Sequence, residues 1–101
     1  MRKSCDSYSV LGPWMVTADE IPDPSALELE LHVNGVTRQK ARTSDLIRDL
    51  ATLIERASSF YTLMPGDLLF TGTPEGVSEV KAGDEMRASI SSIGTMTVAV
   101  R

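Results

Sequence analysis

An α+β fold, mainly β and built with one main helix, is the fold class this sequence predicts. Three observations lead there. Leucines alternate with polar residues before an Asn34-Gly35 pair, an apolar stripe at helical spacing runs over about 43–58, and two more strand-like stretches lie towards residue 101. Strands gathered around one helix, rather than regularly alternating with helices, are the pattern of α+β domains.

Gly12-Pro13 and the run Ile21-Pro22-Asp23-Pro24 are turn punctuation. They bracket Trp14-Met15-Val16, a candidate short strand. Leu27, Leu29, Leu31 and Val33 then alternate with Glu28, Glu30 and His32, the period-two pattern of a half-buried strand. Asn34 and Gly35 both tolerate the positive φ of a type I′ hairpin turn, so a return strand is expected over Val36 to Ala41. A two-residue turn pairs Val33 with Val36 and sets Glu30 opposite Gln39. The return strand is polar and is expected near an edge.

Leu46, Ile47, Leu50, Leu53, Ile54 and Ala57 share one helix face. Thr43 is the expected N-cap, with Asp45 at the positive end of the helix dipole. Pro65-Gly66-Asp67 reads as a turn, Leu68-Leu69-Phe70 as a short buried strand, and Thr71 to Gly76 as a loop. Strands are expected at Glu85 to Ile90 and Thr95 to Val100, with Gly94 between them.

The 101 residues fit a single domain, 1–101. Net charge is −4 and the ten basic residues are scattered, which argues against nucleic acid as a partner. No apolar run approaches the roughly 20 residues that span a bilayer, so no membrane partner is expected. Arg2 and Lys3 are not followed by the apolar core of a secretory signal. Cys5 is alone, leaving no internal disulfide and no paired-cysteine metal knuckle. A cytoplasmic setting is the expectation. With His32 the only histidine, a multi-histidine metal site or a Ser-His-Asp mechanism has little to build on.

Glu28 and Glu30 lie two apart on one strand face, where both could reach a divalent ion. Their alternation with leucines favours the plainer reading, a solvated polar face. Lys3 stands beside Asp6. A lysine in a cleft stabilises an enolate or carboxylate, or acts as a base if its pKa is lowered, but a solvated terminal lysine is the ordinary case. Thr71-Gly72-Thr73-Pro74 follows a predicted strand. Its glycine would let backbone N–H groups approach an anion, and its two hydroxyls would add hydrogen bonds; a plain turn ended by proline is equally consistent. His32 reads as a surface histidine, Cys5 as a small apolar residue, and Trp14, Phe60 and Tyr61 as core or interface.

Taken together, these stretches resemble the fumarylacetoacetase (FAH) family. They are Lys3-Ser-Cys-Asp6-Ser-Tyr, Leu11-Gly-Pro13-Trp, Thr17-Ala-Asp-Glu-Ile-Pro-Asp-Pro24, Val33-Asn-Gly35, Arg38-Gln39, Thr43-Ser-Asp45-Leu, Ala82-Gly-Asp84 and Ser92-Ile-Gly94. The most specific is Thr62-Leu-Met-Pro-Gly-Asp67-Leu-Leu-Phe-Thr-Gly-Thr-Pro74-Glu-Gly76-Val. The resemblance covers essentially the whole chain. It is nearest to the bacterial branch that isomerises or decarboxylates homoprotocatechuate-pathway intermediates, such as 2-hydroxyhepta-2,4-diene-1,7-dioate isomerases.

The resemblance implies an FAH-type mixed β-roll or sandwich, usually dimeric. It implies Mg²⁺ or Mn²⁺ chemistry on small 2-oxo acid and dicarboxylate substrates in aromatic catabolism. Isomerisation, decarboxylation and C–C hydrolysis there share a metal-stabilised enolate. Lys3 matches the family's active-site lysine, Thr73 the threonine that hydrogen-bonds substrate, and Thr71 and Gly72 shape the same loop; Asp6 would orient Lys3. The family's metal ligands, an E-x-E pair and an aspartate, lie upstream of the lysine motif. The expectation is therefore a C-terminal part of the catalytic domain without that segment, with no metal ligands of its own. Glu28 and Glu30 fall in the later strand before the Asn-Gly turn and do not replace them. Arg42 stands where asparagine is usual, and Ser78 where glycine is common.

Three functional readings follow: the C-terminal part of a metal-dependent FAH-type enzyme, a non-catalytic remnant or partner subunit that completes a site with another chain, or a metal-free binding module for small dicarboxylates.

Overall fold

Among the described residues, Leu27 and Val33 are the two buried apolar ones, and a four-stranded antiparallel sheet is built around them. The computed structural model describes residues 4–101. The strands are β1 (Glu28–Val33), β2 (Val36–Arg42), β3 (Glu85–Ile90) and β4 (Gly94–Ala99), in the order β2-β1-β3-β4. β2 is an edge strand, as its polarity predicts. One α-helix, α1, covers Leu50–Phe60. The α+β, mainly β expectation holds, and β3 has the bounds expected of it. Gly94 opens β4 rather than separating it from β3.

Asn34 and Gly35 take φ of 51° and 79°, so the β1–β2 turn has the predicted positive-φ pair. The hairpin's register differs from the expected one. Val33 pairs with Val36, but Leu31 pairs with Gln39 and Glu30 with Lys40, because Arg38 is bulged out between Leu31/His32 and their partners. One extra residue reverses the face of every side chain beyond it. Glu28 therefore meets Arg42, and Gln39 and Ala41 join the apolar face of Leu29 and Leu31.

That apolar face continues through the sheet. Leu29, Leu31 and Val33 lie opposite Ile90, Ala88 and Met86 of β3, and the latter two lie opposite Met96 and Val98 of β4. Glu28, Glu30 and His32 mark the other face, where Arg42 Nη2 contacts Glu28 Oε1 at 2.5 Å and Lys40 Nζ contacts Glu30 Oε1 at 2.8 Å.

The helix starts later than the expected residue 43. Asp49 is its N-cap, its Oδ1 accepting from the Thr52 N–H at 2.7 Å. Hydrogen bonds from the Thr52 side chain and backbone hold the Asp49 carboxyl below the usual aspartate range. Thr43 is committed elsewhere: its hydroxyl donates to the Pro24 carbonyl at 2.7 Å and accepts from the Leu27 N–H at 2.9 Å. Thr43–Asp45 is a 3₁₀ turn, and Ile47 projects fully into solvent.

Two other expectations fail for one reason. Leu68-Leu69-Phe70 and Trp14-Met15-Val16 form no strand, and all but Val16 are exposed. A strand needs a partner backbone for its N–H and C=O groups, and none lies alongside either segment among the described residues. Trp14 is anchored instead by its indole N–H, which donates to the Ile93 carbonyl at 2.8 Å, with its ring against Gly94, where a Cβ would lie 2.5 Å from Cζ2.

The sheet's apolar face lacks a tightly packed second layer, since α1 makes at most marginal contact with the strands. Trp14, Phe60, Tyr61, Leu68 and Phe70 are all more than half exposed. Apolar surface on this scale drives association. The 101 residues alone are expected to sediment as species heavier than 11.0 kDa; a monomeric profile over a wide concentration range would refute this. No helix among the described residues is long and apolar enough to cross a membrane.

Candidate substrate-binding site

The loop Thr71-Gly72-Thr73-Pro74 lies along the outer edge of β2. Gly72 takes φ 98°, a conformation that glycine adopts without Cβ strain. Further on, Gly76 at φ 95° packs so closely on the Arg38 carbonyl that a Cβ there would collide with backbone. The bulge turns Arg38 to this side, and its Nη1 donates to Ser78 Oγ at 2.8 Å. Gln39 reaches the same loop, its Nε2 lying 2.9 Å from Thr73 Oγ1 and 2.9 Å from the Pro74 carbonyl oxygen.

The loop borders a cavity of about 810 Å³, walled by Leu29 and Ala41 of the sheet, by Leu46, Leu50 and Leu53, and by Thr71 to Glu75. Lys40, Arg42, Arg48 and Asp45 also line it. An apolar recess with a few polar groups at its mouth suits a small organic anion. Thr71, Gly72 and Thr73 are exposed, so their hydroxyls and amides are accessible.

Lys3 lies outside the described residues. Asp6 sits in an exposed turn closed by the Tyr8 N–H on the Cys5 carbonyl. It does not line the cavity. Cys5 is exposed and free, so it does not pack as an apolar residue.

Glu28 and Glu30 are engaged with cations rather than poised for a metal. Glu28 holds Arg42, and Glu30 accepts from Lys40 and contacts His32 Nε2 at 3.1 Å. Hydrogen bonding and charge from Lys40, then His32, lower the Glu30 pKa. His32 is part-buried rather than a plain surface histidine, with Thr37 Oγ1 3.3 Å from its Nδ1. No group of three or more His, Cys, Asp or Glu among the described residues could hold a metal ion.

Gln39 is the residue at this site to which the sequence assigns no role, although it stands in the Arg38-Gln39 stretch of the family resemblance. The signal comes only with the sheet's register: once the bulge turns Gln39 onto the apolar face, a polar side chain there needs hydrogen-bond partners.

A family model described as fumarylacetoacetate (FAA) hydrolase C-terminal matches residues 1–101. Maleylpyruvate hydrolase from Aquipseudomonas alcaligenes is 60% identical over 100 residues, covering 99% of this chain and 35% of that protein. A 4-hydroxyphenylacetate degradation bifunctional isomerase/decarboxylase from Salmonella dublin is 44% identical over 94 residues, 93% of this chain and 22% of that protein. The crystal structure of maleylpyruvate hydrolase from Sphingobium sp. SYK-6, in complex with manganese (II) ion and pyruvate, aligns with a TM-score of 0.87 and 49% identity, over 88% of this chain and 34% of its own. The chain thus spans about a third of the length of the two hydrolases.

Proposed function

This chain belongs to the fumarylacetoacetate hydrolase family, matching its C-terminal model, and from that premise we propose that it forms the substrate-side half of a site for enolate chemistry on small 2-oxo acids. The observation that carries this reading is the Thr71–Pro74 loop, held open beside an apolar recess with Thr73 tied to Gln39. The substrate class is a 2-oxo acid or dicarboxylate of the kind named for the relatives. The reaction is C–C hydrolysis, isomerisation or decarboxylation through an enolate.

The described residues do not fit a divalent ion. They contain no cluster of three ligating side chains, and both glutamates of β1 are paired with cations. The metal ligands of the proposed site therefore come from outside residues 1–101, in the same polypeptide or another chain. What this chain contributes is hydrogen bonding and charge. The Thr73 hydroxyl donates to the substrate carboxylate, the backbone around Gly72 allows close approach, and the Lys3 ammonium stabilises negative charge as the enolate develops.

The native gene product carrying these residues is expected to turn over a maleylpyruvate-type substrate only with Mg²⁺ or Mn²⁺ present. Thr73→Val should lower kcat/KM roughly tenfold or more, the loss for one hydrogen bond to a charged group. Full activity after exhaustive metal removal, or no loss in the Thr73→Val variant, would contradict the reading. Clear metal-free binding of oxalate or pyruvate, lost on Thr73→Ala, would favour a binding module.

A further inference from the structure

We infer that Gln39 is a positioning residue that sets the direction in which the Thr73 hydroxyl donates. The inference rests on the reading that Thr73 contacts a substrate anion. Gln39 Nε2 lies 2.9 Å from Thr73 Oγ1, 2.9 Å from the Pro74 carbonyl oxygen and 3.3 Å from that of Glu75. The two carbonyls can only accept, so the nitrogen of the Gln39 amide, not its oxygen, must face the loop. With the nitrogen there, Thr73 Oγ1 is an acceptor as well. A threonine hydroxyl has a single proton, and that proton is thereby turned away from Gln39 and left free for an anionic oxygen.

The β2 bulge at Arg38 makes this arrangement. Without it Gln39 would face Glu30; with it Gln39 stands beside Leu31 on the apolar face. Gly76 against the Arg38 carbonyl and Arg38 on Ser78 hold the next residues of the loop on the same strand, so the amide and hydroxyl are fixed at both ends. A neutral amide is also the right chemistry. A carboxylate at position 39 would repel the two carbonyls, accept the Thr73 proton, and add a negative charge where an anion is to bind.

The test uses the native gene product loaded with Mn²⁺, with pyruvate as the probe. Gln39→Glu should weaken pyruvate binding roughly tenfold or more at neutral pH, the scale of one charge-assisted hydrogen bond. Binding should recover as pH falls through the glutamate range and the introduced acid regains a proton to donate. Gln39→Met should show a loss without that pH dependence. Gln39→Met combined with Thr73→Val should lose little more than Thr73→Val alone, because both act through one hydroxyl. A Gln39→Glu affinity within twofold of the unsubstituted protein, a flat pH profile for it, or losses that multiply in the double variant would each overturn the inference. If the unsubstituted protein does not bind pyruvate at all, the functional reading fails. The clamp is then judged alone from the Gln39 side-chain amide protons by NMR: slow exchange, with one proton shifted by Thr73→Val, supports it, and fast exchange overturns it. The same measurement decides the matter if Gln39→Glu does not fold.

Discussion

Isothermal titration of the 101 residues alone with Mg²⁺ or Mn²⁺ is expected to give binding no tighter than the millimolar range. A divalent ion of this class takes around six oxygen ligands, usually with at least one or two protein carboxylates among them. Glu28 and Glu30 are the one pair with suitable spacing, and the fold has already committed them. Arg42 Nη2 lies 2.5 Å from Glu28 Oε1 and Lys40 Nζ lies 2.8 Å from Glu30 Oε1. A dication placed between the glutamates would displace two cations or sit beside them, and like charges a few ångströms apart repel even in partly solvated settings. Hydrogen bonds from Lys40, and to a lesser extent His32, keep Glu30 ionised to lower pH than usual, yet that ionisation serves the ion pair. A micromolar affinity would correspond to about 4 kcal/mol of binding free energy beyond the millimolar limit, and it would refute the proposal that the metal ligands lie outside these residues.

Lys3→Met in the native gene product should lower kcat by roughly 10²- to 10³-fold, the scale seen when one donor to a developing oxyanion is removed. KM should change much less, because the ammonium acts chiefly on charge that appears along the reaction. Lys3→Arg should rescue only part of the rate: a planar guanidinium places its charge and donors differently from a compact ammonium. The thermal midpoint of each variant, measured alongside, separates a loss of chemistry from a loss of fold. The assignment comes from the Lys3-Ser-Cys-Asp6 motif. A variant retaining a third or more of the original kcat would remove Lys3 from the chemistry.

These expectations differ in how far the chain itself announced them. The alternation from Leu27 to Val33, the Asn34-Gly35 turn and the edge position of β2 all depend on neighbours in sequence, and they were legible there. So were the helical stripe and the motif strings that carry the family resemblance. Thr71, Gly72 and Thr73 stand out because a glycine flanked by hydroxyls is a local chemical signature, whether or not a strand precedes it.

Other features depend on contacts between residues far apart in the chain. Thr43 looked like a helix cap, but its hydroxyl is taken by Pro24 and Leu27, so the helix waits for Asp49. Leu68 to Phe70 had the composition of a buried strand, but a strand exists only where another backbone pairs with it. Above all, the bulge at Arg38 is a matter of register. Pattern and turn type together define which residues pair at the hairpin tip, yet one extra residue further along exchanges the two faces of β2. The charges hold the clue, because only the bulged register brings Arg42 to Glu28 and Lys40 to Glu30. That exchange pairs both carboxylates with cations and delivers Gln39 to the Thr73 loop. The sequence carried the loop's chemistry in its residue types, and the folded sheet settled which side chain would hold it, because facing is a property of pairing between strands and not of either strand alone.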